Sequence, residues 1–531
     1  MDTRKVVVDP GLCIVCGDCS RICPVYVYNI SPPPCQRACP VGTDISANIT
    51  SIIQGNLDEA LAAIRQSNPL PGITGRVCPH PCEAECRRSE IDQPVAIQAL
   101  ERFTADHGPD YPPDPVEKKA ARVAVIGSGP AGLAAAADLA RRGYPVTIFE
   151  SLPVAGGLLS VGIPEYRLPR EIVRREIGRI ERLGVDIRLN SPVGGDSTLK
   201  GLLGQGYRVV LVAIGTHRGL KLDIPGEGEL QGVEDAMSFL RGVNLGGPRR
   251  VTGQAIVVGG GNAAVDAART LLRLGASGVA LVYRRSRQEM PAIASEVAEA
   301  EREGVKVHYL VAPRRVLGKG GKVTGMECVR TELGAPDASG RRAPRSVAGS
   351  EFVLEAGLII SAIGQQPDLS RWREAGDIGA AGGSVAVDGD TMMTALPGVF
   401  AAGDAVSGPG TVVEAMASGR RAAAAINRYL GGTEPAQAGN GARAAGGEAA
   451  PSTWWKETGK EPRSAVDELP VAKRRGNFSE IVPGLPQDLA VREARRCLGC
   501  AIFAHNDLAS CCGDSCRCCQ YHCWQGAIKI Y

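Results

Sequence analysis

Of the 18 cysteines in this 531-residue chain, nine lie between Cys13 and Cys86, eight lie between Cys497 and Cys523, and only Cys328 falls in the long stretch between. No other feature constrains the fold as strongly. The opening residues, Met1 to Asp9, have no apolar core of the kind a secretory leader needs. No run approaches the roughly 18 apolar residues that span a bilayer. A cytoplasmic, reducing setting is therefore expected, where clustered cysteines act as metal ligands rather than disulfides. Thiol chemistry belongs to the two ends, and the middle has another task.

That middle, from Arg122 to about Leu430, repeats strand, Gly turn and helix. The pattern predicts parallel sheets with right-handed crossovers, an α/β architecture. The length exceeds one core and predicts several units: residues 1–30, a small Cys-rich segment; 31–118, a helical Cys-bearing domain; 119–250 and 365–431, two parts of one nucleotide-binding domain; 251–364, a second nucleotide-binding domain; 432–476, a flexible linker rich in Gly and Ala; and 477–531, a Cys-dense tail. Within 31–118, Asp44 is placed to cap a helix whose apolar side includes Ile45, Ile49 and Ile52.

Two dinucleotide turns stand out. In the first, the strand Arg122–Ile126 enters Gly127-Ser-Gly129-Pro130-Ala131-Gly132, an Ala-rich helix follows, and the next strand ends at Glu150. Gly127 makes the tight turn, Gly129 lets backbone approach a pyrophosphate, Gly132 lets helix and strand pack closely, and Glu150 can hold ribose hydroxyls. In the second, a strand from Gln254 enters Gly259-Gly-Gly261-Asn262-Ala263-Ala264. The following strand ends in Arg284-Arg285 rather than an acid, which favours a 2′-phosphate and hence NADP(H), although a solvated strand end reads the same way and leaves NAD(H) open. A third fragment, Gly403-Asp404 with Thr411-Val412 opening a helix, can hold ribityl hydroxyls and face a flavin ring with a helix N-terminus.

Two nucleotide sites, one nested within the other, resemble the two-dinucleotide-binding flavoproteins. That resemblance implies FAD at the first site and NAD(P)(H) at the second. It makes Ala213-Ile-Gly215 and Ala362-Ile-Gly364 the two crossings between domains, and Gly156-Gly157-Leu158 with Gly162–Pro169 the flavin-covering segment. Composition agrees with nucleotide binding: Gly reaches 67, and aromatics, at 4%, do not suit a base-stacking platform for nucleic acid.

The Cys-rich ends narrow the resemblance. Cys35-Gln-Arg-Ala-Cys39-Pro, then Cys78-Pro-His-Pro-Cys82-Glu-Ala-Glu-Cys86, are similar to the iron–sulfur domain of the glutamate synthase small subunit, of dihydropyrimidine dehydrogenase, and of the flavin subunit of NADH-dependent ferredoxin:NADP oxidoreductase. The resemblance implies one [4Fe–4S] cluster on Cys39, Cys78, Cys82 and Glu101. Relatives supply a C-x-x-C pair just ahead of the residue matching Cys35, whereas this chain has Val27 and Ile30 there. The missing pair resembles Cys497-Leu-Gly-Cys500, which gives a permuted second cluster on Cys35, Cys86, Cys497 and Cys500. A cluster closed within the tail is the other reading.

Cys13-x-x-Cys16-x-x-Cys19-x-x-x-Cys23-Pro matches one half of a bacterial-type ferredoxin, in which the fourth Cys ligates the neighbouring cluster. The tail, with Cys512, Cys516, Cys519 and Cys523, supplies a second half, so a split ferredoxin is expected: Cys13, Cys16 and Cys19 with Cys523, and Cys512, Cys516 and Cys519 with Cys23. Each end closing its own cluster is the alternative, and the roles of Cys511 and Cys518 stay open. Either way the total is about four [4Fe–4S] clusters. Those clusters would take the formal net charge from +3 to roughly −5, which leaves no basic patch for nucleic acid.

The expectation is an electron-transfer subunit moving electrons between NAD(P)(H) and ferredoxin-type clusters of a partner oxidoreductase, such as a 2-oxoacid:acceptor enzyme, or a ferredoxin. The alternative is the small subunit of glutamate synthase. Hydride transfer needs no general acid or base, and none is assigned. A flavin disulfide reductase needs a dithiol near the flavin, and residues 87–496 hold only Cys328, which reads as a buried strand residue.

Overall fold

The structure is a computed structural model. It describes residues 32–111, 114–195, 198–247, 249–337, 340–373, 378, 383–433 and 459–500, and the backbone of the short strands Val6–Val8, Tyr28–Ile30, Ala380–Ala381, Ile502–Ala504 and Ile528–Ile530. Two compact units result: Met1–Pro113 with Gly432–Val466 and Gly484–Tyr531, and Asp114–Gly431 with Asp467–Pro483.

The first unit is built around a helical core. Asp44 caps the helix Ile45–Gln54 by accepting from the Ala47 N–H at 3.0 Å, and Gly55 closes it in the left-handed region. Its Ile45, Ile49 and Ile52 pack with Leu100 and Phe103 of the helix Ile97–His107. Ala490 and Ala494 of the helix Gln487–Arg495 complete the same core, so sequence some 400 residues away is folded into one domain. In the same unit Val6–Val8 pairs antiparallel with Ile528–Ile530, and Tyr28–Ile30 pairs antiparallel with Ile502–Ala504.

The second unit holds two parallel sheets. The first runs in the order Val399–Ala401, Tyr207–Val212, Arg122–Ile126, Val146–Phe149, Asp186–Arg188. The second runs in the order Val305–Tyr309, Gly278–Tyr283, Gln254–Val258, Leu358–Ser361, Val233–Asp235. The central strands Arg122–Ile126, Tyr207–Val212, Gln254–Val258 and Leu358–Ser361 are mostly buried and rich in Val and Ile, as parallel sheets covered by helices require, whereas the edge strands Asp186–Arg188 and Val233–Asp235 are partly exposed. Directly after Gly215 and Gly364 the chain forms a two-stranded ribbon, Arg218–Gly219 against Gln365–Gln366, at the two crossings between the sheets.

Two expected boundaries move. The strand Val233–Asp235 pairs with Leu358–Ser361, and the helix Ala236–Asn244 packs in the core of that sheet, so the second nucleotide domain begins well before residue 251. The expected linker 432–476 is structured over its last part. Ser464 and Arg474 are buried, and residues 467–483 form a strap on the flavoprotein unit. Cys328 is fully buried on the strand Lys322–Pro336.

Candidate nucleotide and iron–sulfur sites

At the first turn Gly127 has φ +98°, and a Cβ there would stand 2.5 Å from the Ala213 carbonyl oxygen. A Cβ on Gly132 would stand 2.1 Å from the Gly127 oxygen, so the helix Pro130–Arg141 touches its own turn. Gly129 and Gly261 face open space at the N-terminal ends of the helices Pro130–Arg141 and Asn262–Arg273, as backbone approach to a pyrophosphate demands. Glu150 is buried at the strand end. One oxygen accepts from the Ser128 N–H (2.9 Å) and hydroxyl (2.6 Å), and the other accepts from the Leu152 N–H (2.8 Å). The carboxylate therefore also braces the turn that it follows.

The remaining flavin candidates gather around this turn. A Cβ on Gly157 would lie 2.9 Å from the Gly129 Cα, and one on Gly403 would lie 2.7 Å from the Ala131 Cβ. Gly156 donates its N–H to Ser128 (2.9 Å), and Leu158 opens a short helix. Thr411 and Glu414 form a capping box ahead of the helix Val412–Tyr429. The Asp404 carboxyl is pushed up to about 6 by burial, against hydrogen bonds from the Gly410 N–H and the Thr216 hydroxyl.

At the second turn the two arginines part company. Arg284 is exposed at the end of the strand Gly278–Tyr283, open to a 2′-phosphate. Arg285 is buried; it pairs with Asp337 at 2.5 Å and donates to the Arg342 carbonyl at 2.8 Å. Strand alternation turns successive side chains to opposite faces, so Arg285 is committed to the antiparallel pair Lys322–Pro336 and Arg342–Ser346 and the Asp337 that follows the first of these strands, rather than to a nucleotide. Asn262 opens the helix and accepts from the Ile293 N–H (3.0 Å). Ala263 and Ala264 follow it into the core, and Gly364 lies at the second crossing.

In the first unit the candidate ligands form two sets. Burial, then Glu101, pushes the Cys78 thiol up to about 12, with Cys39 adding to the rise, and the same neighbours raise Cys82. Glu101 accepts from the Thr74 hydroxyl at 2.5 Å and from Asn68 at 3.3 Å. The His80 N–H donates to the Cys78 sulfur at 3.3 Å. Burial, then Cys497, Cys86 and Cys500, raises Cys35; burial, then Cys497, pushes Cys500 up to about 12. Ionising Cys35, Cys78, Cys82 or Cys500 is thus penalised by burial and by neighbouring groups, a penalty that a cationic iron–sulfur core would relieve. Among the described residues no group of three or more His, Cys, Asp or Glu side chains stands placed to hold a metal ion. Cys13, Cys16, Cys19, Cys23, Cys511, Cys512, Cys516, Cys518, Cys519 and Cys523 lie outside the described residues.

The sequence reading missed the residues that fix these sites. Arg496 is buried beside Cys497. It pairs with Glu493 (2.6 Å) and Asp92 (2.9 Å) and donates to the carbonyls of Gln93 (2.7 Å) and Glu461 (3.0 Å). Glu493 also accepts from the Ala96 and Ser464 N–H groups (2.8 and 2.7 Å). In the second unit Arg474 of the strap pairs with Glu299, Glu303 and Glu468. Arg273 binds Glu303 and stacks on Tyr166 of the flavin-covering segment at 3.8 Å, while the neighbouring Arg167 pairs with Asp266 at 2.8 Å. No adjacent-residue signal separates buried Arg496 from exposed Arg495.

Paired parallel sheets, each with a glycine turn opening a helix, and a thiol-rich helical domain beside them in sequence define a nucleotide-dependent iron–sulfur flavoprotein. Residues 121–419 match the family model of the pyridine nucleotide–disulphide oxidoreductases, and residues 28–111 match that of the dihydropyrimidine dehydrogenase domain II with a 4Fe–4S cluster. The chain belongs to the pyridine nucleotide–disulphide oxidoreductase family and is an NAD(P)-dependent oxidoreductase with an FAD/NADP-binding domain and a 4Fe–4S domain. It is 45% identical to the beta subunit of the NADP(+)-dependent formate dehydrogenase of Moorella thermoacetica over 508 residues, 88% of this chain and 70% of that protein. It is 40% identical to the NADPH–Fe(3+) oxidoreductase subunit beta of Geobacter sulfurreducens over 509 residues, 88% of this chain and 75% of the relative. The glutamate synthase [NADPH] small chain of Escherichia coli is 36% identical over 424 residues, 75% of this chain and 89% of the relative. No helix among the described residues is long and apolar enough to cross a membrane.

Proposed function

We propose that this chain is an electron-transfer subunit that links NADP(H), through FAD and about four [4Fe–4S] clusters, to a partner oxidoreductase subunit in the reducing cytoplasm. One observation carries the reading: Cys35, Cys86, Cys497 and Cys500 belong to one helical unit and lie near enough for the other three to raise the Cys35 thiol, and in the same unit Cys39 and Glu101 raise Cys78 and Cys82. When bound, FAD supplies the exchange between a two-electron hydride and single electrons. The chain's own residues set the geometry. The turns at Gly127–Gly132 and Gly259–Ala264 seat the two pyrophosphates, and exposed Arg284 selects the 2′-phosphate.

The strand pairs support the split ferredoxin. Val6–Val8 with Ile528–Ile530, and Tyr28–Ile30 with Ile502–Ala504, bring the residues flanking Cys13–Cys23 and Cys512–Cys523 together. The whole flavoprotein is then an insertion between two halves of a small ferredoxin, and that module is the exit towards the partner. The beta subunits of formate dehydrogenase and NADPH–Fe(3+) oxidoreductase, similar over 88% of this chain, favour a partner that carries its own redox centre. The glutamate synthase small chain matches only 75% of this chain, which weakens that alternative. Anaerobic purification tests the proposal: about sixteen irons per FAD and a co-purifying redox subunit are expected, and fewer than about twelve irons would reject the four clusters.

A further inference from the structure

Immediately after the first crossing lies His217, a half-buried imidazole not singled out by any glycine or cysteine motif. Its Nε2 reaches the space bordered by three flavin candidates. A Cβ on Gly157 would lie 4.0 Å from it and one on Gly215 3.8 Å, and Gly157 in turn abuts Gly129. On the other side of the ring, the Arg241 guanidinium approaches Nδ1 at 3.2 Å and donates to the His217 carbonyl at 3.2 Å. A guanidinium carries donors only, so Nδ1 must accept and the ring proton must sit on Nε2. Burial first, and Arg241 second, hold the ring's pKa down to about 4 against the pull of Glu150, which keeps it neutral. Arg241 Nε is itself buried with no acceptor among the described residues.

We propose that His217 donates a hydrogen bond from Nε2 to an oxygen of bound FAD, with Arg241 as the positioning residue that fixes its tautomer. Arg241 lies on the helix Ala236–Asn244, whose Asn244 also donates to the Val161 carbonyl at 2.9 Å in the flavin-covering segment. One helix of the nucleotide-binding half thus holds both the cover and the donor. The inference rests on the reading that this cleft takes FAD; a wild-type chain isolated without flavin would sink that reading, whereas the variants below address His217 alone.

The experiment compares the anaerobically isolated holo chain with H217Q, H217L and R241M, following FAD release by recovery of free-flavin fluorescence, and the flavin absorption bands. The iron content of each variant reports retained folding. H217L is expected to release FAD about tenfold more readily, H217Q to stay near wild type because an amide still donates, and R241M to lose about threefold. A shifted absorption band in H217L assigns the acceptor to a ring carbonyl, and an unshifted band with faster release assigns it to a phosphate oxygen. Release from H217L at the wild-type rate with an unchanged spectrum would overturn the proposal, as would H217Q failing as badly as H217L. Should H217L not fold, R241M decides: unchanged release there overturns the tautomer argument.

Discussion

Replacing Arg496 with Met should empty one iron–sulfur site while leaving the flavin in place. The side chain is fully buried and satisfies two carboxylates, Glu493 and Asp92, together with the carbonyls of Gln93 and Glu461. Removing one partner of a buried pair costs about 3–5 kcal/mol, because the other charge is left uncompensated. Here the uncompensated charge is mostly that of Glu493, since Asp92 keeps Arg88 at 2.6 Å. The damage should be local to the seam where residues 459–464 and the helix Gln487–Arg495 join residues 83–96, and Cys497 follows Arg496 directly. The assay is the iron-to-FAD ratio of the anaerobically purified variant, with a drop of about four irons expected. A double variant, R496M with E493Q, removes both buried charges and should recover part of the loss. An unchanged iron-to-FAD ratio in R496M would refute the idea that this network seats the Cys497–Cys500 pair.

Other outcomes follow from the second unit. R284A should raise KM for NADPH about tenfold and leave NADH nearly unaffected, whereas R285A should lower thermal stability and affect both nucleotides alike; steady-state flavin reduction with each nucleotide reads the difference. G132A should abolish FAD retention, since its Cβ would stand 2.1 Å from the Gly127 oxygen; a normally yellow variant would contradict this. For Asp404 the folded pKa of about 6 lies above the ordinary 3.8. Its stabilising contribution is therefore present below about pH 4 and lost as pH rises through 6. In FAD-stripped protein D404N should match wild type near pH 4 and be more stable by up to about 3 kcal/mol at pH 8, as urea unfolding would show.

Much of the nucleotide architecture was legible because phosphate chemistry constrains local sequence: Gly127, Gly129 and Gly132 each stand where a side chain would meet backbone or block a ligand. The permuted cysteine set is a proposal drawn from resemblance, and the influence of Cys497, Cys86 and Cys500 on the Cys35 thiol is what supports it. Domain edges were less legible, since the strand Val233–Asp235 announces its sheet only by its pairing with Leu358–Ser361. Buried charge was the least legible. Arg474 and Arg496 look like ordinary surface residues in the sequence, and only the tertiary fold supplies the carboxylates that justify burying them. For the same reason Arg285 looks equivalent to Arg284 in the sequence, and only the fold supplies its partner Asp337.

The most direct measurement of the central claim is an anaerobic titration of the isolated chain with NADPH, with electrons taken up per FAD counted and paramagnetic resonance recorded on the same samples. The account predicts uptake beyond about two electrons per FAD, with reduced [4Fe–4S] signals growing as the flavin bleaches. Uptake that stops at about two electrons per FAD, with every cluster silent, would contradict a connected path from nucleotide to iron.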